Sequence, residues 1–292
     1  MNRQPLVSVG LPVRNAADRV TDVVKSVLAQ EYPHVELVIS DNASTDGTQD
    51  VCRSLADADS RIRYHRQPQN IGLLNNFGFV LRAARGEFFR WIGDDDRLAS
   101  GYLTACLSEF AADPHRILVT TGMSYMEDGR PAESATYHGT ALGSADPVTR
   151  LEEMLRLLNE SHLLIDPLYA LVRRKPVAAI PRRNMLREDE VFAAKLALAG
   201  PWGHIPDVLA ERVWGTARIT KLAERLDVPS WQSHFANTLQ AREMLRWIGQ
   251  CELTADQKRR ARAAVYRMYL RRQGRTVAHR SRKLLRMATT SR

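Results

Sequence analysis

Four short apolar runs alternate with stretches of helical periodicity over the first hundred residues, and that alternation leaves few folds open. Leu6 to Leu11 is an apolar run ending at Pro12. The segment 18–30 follows, with Val20, Val23, Val24, Val27 and Leu28 at helical spacing. Val35 to Ser40 is a second run, and its end meets the polar loop Asp41-Asn42-Ala43-Ser44-Thr45-Asp46-Gly47-Thr48, where Asp46 is placed to cap a helix through Leu55. Ile62 to His65 reads as a third, edge-like strand, Leu73 to Ala84 as a helix interrupted by Gly78, and Glu87 to Ile92 as a fourth strand. Elements of this length in this order predict an α/β chain, a Rossmann-like and mostly parallel sheet flanked by helices.

In such sheets ligands sit beyond the carboxyl ends of the strands. Three polar loops fall there: Pro12 to Asn15, Asp41 with its neighbours, and Asp94-Asp95-Asp96 after Gly93. Adjacent carboxylates repel one another, and a divalent cation with oxygen ligands and substrate phosphates is the natural relief. The competing account is a solvated acidic turn, with Asp96 capping the helix that starts near Leu98. Three acids alone favour the turn; the convergence of three loops favours a metal and phosphate site.

Beyond this point Leu103 to Phe110 reads as a helix and Ile117 to Thr121 as a strand continuing toward Met126. Residues 127–145, rich in Gly, Ser, Thr and Pro, read as a mobile connection. Pro147 to Asn159 is helical, Leu168 to Val172 a buried strand, Val191 to Leu198 a helix stopped by Gly200-Pro201, and His204 to Val213 strand-like. From Lys221 onward only helical signals remain, over Trp231 to Ile248 and Asp256 to Leu285. The expected division is therefore 1–215 for the main domain and 216–292 for a helical, basic extension.

The formal charge of +9 belongs to that extension. Residues 258–292 hold 13 Lys or Arg and no acid, leaving 29 basic against 33 acidic side chains in residues 1–257. A mildly acidic body argues against nucleic acid as its ligand. The basic tail suits an anionic membrane surface, which attracts polybasic segments. Cys52, Cys106 and Cys251 match no metal or redox spacing, and no signal region or membrane span is evident. The expected location is the cytoplasm, attached at most peripherally to the inner face of the plasma membrane.

Assembled in order, these segments resemble the inverting family 2 glycosyltransferases, which have the GT-A nucleotide-diphospho-sugar transferase fold. Val7-Ser8-Val9-Gly10-Leu11-Pro12-Val13-Arg14-Asn15 is similar to the family's first strand and loop, and Asp41 to Thr48 to its D-x-G-S-T-D-G-T segment. Asn70-x-Gly72, Asn76-x-Gly78 and Ala84-x-Gly86-Glu87 resemble the stretch leading to the acidic motif, and Glu188-Asp189, with Gly200 closing the helix, its E-D motif. The resemblance covers roughly residues 5–215. Gly93 stands where many members have the first Asp of the D-x-D region, Asn42 replaces a common second Asp, and Trp214 lies where a His often follows the arginine.

The resemblance implies transfer of a sugar, with inversion, from a nucleotide-diphosphate donor to the hydroxyl of an acceptor glycan or lipid-linked saccharide, in the synthesis of cell-envelope polysaccharide or glycolipid. A hexosyltransferase dependent on Mg²⁺ or Mn²⁺ is expected. Asp41 would accept the imide N–H of the base; Pro12, Arg14, Asn15, Asn70 and Asp94 would border the donor nucleotide. Asp96 would be the metal ligand, with Asp95 at the ribose or the metal. Asp189, with Glu188 beside it, aligns with the catalytic base and Arg212 with a basic residue near the diphosphate. On the residues alone, a nucleotide-sugar binder without catalysis stays open, whereas a phosphohydrolase is disfavoured by Leu98 and a nucleotidyltransferase by the lack of a glycine-rich phosphate loop in Gly10 to Arg14.

Overall fold

A computed structural model describes residues 4–127, 130–160, 165–213 and 223–290. Trp214 and the expected domain boundary lie outside the described residues, as do the side chains of residues 276–290 in the basic tail.

The first half of the chain folds as its periodicity predicts. Strand β1 (Val7–Val13), helix α1 (Val20–Leu28), β2 (Val35–Asp41), α2 (Thr48–Ala58), β3 (Ile62–Arg66), α3 (Leu73–Ala83) and β4 (Phe88–Trp91) follow one another. They form a parallel sheet of order β3-β2-β1-β4, with Val7 beside both Val35 and Phe88. Side chains alternate across it. Val7, Val9 and Leu11 meet the apolar stripe of α1 on one face, while Phe89 and Trp91 pack with Val80 and Leu81 of α3 on the other. Gly10 faces that second layer where no side chain fits: a Cβ would come 2.6 Å from the Phe89 ring and 2.8 Å from Val80. Gly10→Ala should therefore cost about 1–3 kcal/mol in urea denaturation by overpacking a filled core.

Beyond β4 the sheet turns mixed. Strand β5 (Arg97–Leu98), α4 (Tyr102–Ala112), β6 (Leu118–Glu127), β7 (Arg130–Ala135), α5 (Pro147–Glu160), β8 (Leu171–Arg173), α6 (Arg174–Ala178), α7 (Glu188–Ala199) and β9 (Trp202–Val213) follow. The path continues β4-β8-β6-β9-β5, with β7 on the side of β6. Two expectations change here. Part of 127–145 is strand, because β7 pairs antiparallel with β6, and the expected strand from Leu168 is a 3₁₀ turn, Pro167–Tyr169, before the three residues of β8.

Two helices end the described chain, α8 (Gln232–Gln250) and α9 (Ala255–Thr290). They are not a loose appendage. Ala241, Met244 and Ile248 of α8 and Ala261, Ala264, Val265 and Met268 of α9 share one buried cluster with Leu151 and Leu155 of α5 and Val191 of α7. No helix among the described residues is long and apolar enough to cross a membrane.

Candidate active site

The acidic loop leaves β4 at Gly93 and enters β5, so Asp96 does not cap a helix. It turns back instead: its Oδ2 accepts the Gly93 N–H at 2.9 Å. Gly93 makes the turn possible, since a Cβ there would lie 2.9 Å from that carboxylate and 3.2 Å from Asp95 Oδ1. Antiparallel pairing of Arg97 with Glu211 then brings Asp96 level with Arg212, whose Nε lies 3.6 Å from Asp96 Oδ1. Asp96 is 1% exposed, and that burial, only partly offset by Arg212, raises its pKa.

Arg212 joins several groups. It donates to Asp166 and stacks over the Tyr169 ring at 3.9 Å. Burial works against its charge, but Tyr169, Asp166 and Asp96 together raise its pKa. Asp166 caps the 3₁₀ turn by accepting the Leu168 N–H. Sequence reasoning passed over it, although an Asp before Pro167 is a cap signal. Beneath them Arg90 is buried, donating to the Tyr102 hydroxyl and the Tyr169 carbonyl.

The three acids differ in their commitments. Asp94 is paired with Arg19, which approaches it at 2.6 and 3.1 Å. Nothing in the sequence pattern singled out Arg19. Asp95 opens to solvent and has no ion-pair partner within 4 Å among the described residues. Its concave surroundings still withdraw water, and desolvation with the charges of Asp96 and Asp94 pushes its carboxyl up to about 6.

The first two loops are tied to each other. Asn15 adopts a left-handed conformation (φ 53°) and accepts the Thr45 N–H, while its own N–H meets Ser44 Oγ. Asp41 is fully buried: Oδ1 accepts the Ser44 N–H at 2.8 Å, and Oδ2 accepts Tyr64 Oη at 3.0 Å and Arg66 at 2.5 Å. Its carboxylate is occupied from within, and Asn42 takes its place on the cavity wall. Asn42 donates to Asn70 at 2.7 Å and accepts the Ile71 N–H at 2.8 Å.

Glu188 and Asp189 begin α7 but part company. Glu188 is buried on Arg182, which stacks on Trp91 and Phe192. That carboxylate holds the helix in place and does not face the cleft. Asp189 reaches the surface from closely packed surroundings, and their desolvation, with the charges of Glu190 and Asp166, pushes its carboxyl up to about 6. Glu190 receives Arg187, Gln240 and Arg272, so both C-terminal helices hold the turn that presents Asp189.

A cavity of about 1060 Å³ lies at the carboxyl ends of the strands. It is lined by Pro12, Arg14, Asn42 and Asn70, by Asp94, Asp95 and Arg212, and by Tyr169, Asn184 and Glu224 to Asp227. Among the named candidates, Asn15, Asp41, Asp96, Glu188 and Asp189 do not line it. Among the described residues no three His, Cys, Asp or Glu side chains converge as a metal cage. The donor set nevertheless fits a hard cation: Asp95 is an uncommitted carboxylate, and Mg²⁺ or Mn²⁺ needs only one or two such groups when substrate phosphates complete the shell.

Comparison with known proteins gives this geometry its family. The chain is 36% identical over 133 residues to a protein of Bacillus subtilis named as a putative teichuronic acid biosynthesis glycosyltransferase, TuaG; the match covers 45% of this chain and about half, 52%, of that relative. Its fold is similar to residues 1–349 of S. aureus TarS in complex with UDP (TM-score 0.66, 18% identity, 89% of this chain and 70% of that one). It is also similar to the mannosyltransferase PcManGT of Pyrobaculum calidifontis in complex with GDP-Man and Mn²⁺ (TM-score 0.59, 17% identity, 99% and 81%). These likenesses make the sheet and its helices a GT-A fold, with the C-terminal helices packed onto it. The sequence model described as glycosyl transferase family 2 matches residues 8–180, more than half of the chain, which therefore belongs to that family.

Proposed function

We propose that the chain transfers a hexose from a nucleotide-diphosphate donor to an acceptor hydroxyl with inversion at the anomeric carbon, in the synthesis of a cell-envelope polysaccharide or glycolipid. The observation that carries this reading is the cavity lining, which brings an uncommitted carboxylate, Asp95, within the field of the guanidinium-bearing centre built on Arg212. Breaking the anomeric C–O bond leaves charge on the departing diphosphate, and preorganised positive charge at that place lowers the barrier. Arg212 is held there by Asp166 and Asp96 and cannot swing away with the product. Asp95, more than the buried Asp96, has lone pairs free for Mg²⁺ or Mn²⁺, which when bound supplies Lewis-acid neutralisation of the two phosphates.

The nucleoside belongs at the wall of Pro12, Arg14, Asn42 and Asn70. Asp41 shapes that wall from behind, and contact with an imide N–H would require it to exchange Tyr64 or Arg66. Asp189 takes the proton of the attacking hydroxyl. A carboxyl raised to about 6 is ionised at neutral pH, yet is a stronger base than an ordinary aspartate. The envelope assignment follows the teichuronic acid pathway in the name of the B. subtilis relative.

The direct test is a thermal-shift panel of UDP, dTDP, GDP, ADP and CDP with and without Mn²⁺. A ligand at a hundred times its Kd raises stability by about 2.7 kcal/mol. At least one imide-bearing nucleotide, UDP, dTDP or GDP, should raise Tm by several degrees, and more with Mn²⁺; no shift with any nucleotide would remove the reading.

A further inference from the structure

The large hydrophobic side chains left exposed among the described residues are concentrated in one place. Trp231 and Phe235 on α8, and Tyr266 and Leu270 on α9, are 52–67% exposed, and only Val208 and Val213 of β9 join them. The inward row of α9, Ala261, Ala264, Val265 and Met268, lies in the core. Its outward row is Arg262, Tyr266 and Leu270, at four-residue steps. On α8 the outward positions are Trp231, Phe235, Thr238 and Arg242. Thr238 Oγ1 meets Tyr269 Oη at 3.3 Å, so the two helices touch beside these rows.

The outward rows of the hairpin carry charge of one sign, while the exposed acids Glu224 and Asp227 lie just before Trp231. The hairpin's acids are Glu243, buried on Lys195 and Arg183, and Glu252 and Asp256 at the far turn. Several arginines of the basic run turn inward: Arg260 to Asp146, Arg267 to Glu152, and Arg272 to Glu190. Arg242, Arg262 and Arg271 are exposed and have no acidic partner among the described residues. The run's total charge is thus a poor guide, and a smaller set of arginines interleaved with aromatic side chains faces outward.

This surface also adjoins the cavity. Leu226 and Asp227 line it, Leu226 and Val228 pack on the small cluster of Leu186, Ala223 and Ala236 that includes α8, and Trp231 follows four residues after Asp227.

We propose that the outward face of the α8–α9 hairpin docks on an anionic lipid leaflet. Trp231, Phe235, Tyr266 and Leu270 enter the headgroup boundary, where aromatic rings with a polar edge are at home, and Arg242, Arg262 and Arg271 meet the lipid phosphates. Docked this way, the Glu224 to Asp227 part of the cavity lining opens beside the membrane, where a lipid-carried acceptor is held. This last consequence rests on the proposed transfer reaction; the docking itself does not.

The full chain should cosediment with vesicles enriched in phosphatidylglycerol and not with pure phosphatidylcholine, with release by salt and a blue shift of tryptophan emission. Exchanging the four exposed apolar residues, as Trp231→Ser, Phe235→Ser, Tyr266→Ser and Leu270→Ser, should cut partitioning at least about tenfold while leaving Tm and the nucleotide-induced Tm shift unchanged. Arg242→Gln with Arg262→Gln and Arg271→Gln should lose the preference for anionic lipid. Equal binding to neutral vesicles, or full binding by the fourfold variant, overturns the proposal. So does a dimer in light scattering that the fourfold variant abolishes, since a second copy would then own the face. Loss of the nucleotide shift in wild type would instead count against the transfer reading alone.

Discussion

Asparagine at position 189 is expected to lower kcat for sugar transfer by about 10²–10⁴-fold, the range that a positioned general base contributes, while leaving the nucleotide-induced Tm shift intact. Asp189 opens to solvent at the start of α7 and makes no ion pair among the described residues, and asparagine keeps an oxygen to accept the Glu190 N–H. The pH profile supplies an independent check. In the proposed reaction the working form is the ionised carboxylate, and desolvation with the charges of Glu190 and Asp166 raises its pKa to about 6. Transfer should therefore fall off as pH drops through about 6, well above the usual carboxylate range, and that acidic limb should be missing from the residual activity of Asp189→Asn. A kcat reduced less than tenfold, or an unchanged acidic limb, would assign the proton to another group. Glu188→Gln tests the neighbouring acid. It breaks the buried pair with Arg182 and should appear mainly as lost stability, by about 3–5 kcal/mol, because a guanidinium packed between Trp91 and Phe192 loses its counter-charge.

How far these sites could be read in advance depends on how local their causes are. The order β1 to β4 follows from periodicity, since each strand and helix carries its own apolar pattern and parallel neighbours join through the helix between them. The mixed half carries no such signal. Strand β5 has two residues and β8 three, and their places come from partners far along the chain, such as Glu211 for Arg97 and Phe88 for Arg173. That pairing is also what sets Arg212 against Asp96, so an arginine weakly marked in the sequence becomes the centre of the site. Glu188 and Asp189 show the same limit. Neighbouring acids at a helix start point about 100° apart, and which one is buried is decided by where Arg182 lies. The acidic loop was legible as a candidate site, but the separate surroundings of its three members were not, because each depends on a distant cation or the absence of one.

Those separate surroundings predict opposite stability changes for two adjacent carboxylates. Without a cation, Asp95 has a folded-state pKa of about 6 against an ordinary value of 3.8, so between those two values the folded state holds more protons than the unfolded one. Stability then falls as pH rises through that window, and the penalty is fully present at neutral pH. Asp95→Asn should raise Tm at pH 7 in chelator, change it little below pH 4, and abolish the further gain that Mn²⁺ with a bound nucleotide gives the wild type. Asp96→Ala should do the reverse and cost about 1–3 kcal/mol at neutral pH, because the Gly93 N–H loses its acceptor and Arg212 one of its two carboxylates, losses that outweigh the relief of its own buried charge. Transfer activity should be lost in both, through the diphosphate's missing counter-charge in the first and a displaced Arg212 in the second. Should Asp95→Asn keep the Mn²⁺ response while Asp96→Ala loses it at unchanged stability, the cation belongs to Asp96, and the buried carboxylate must turn from Gly93 to reach it.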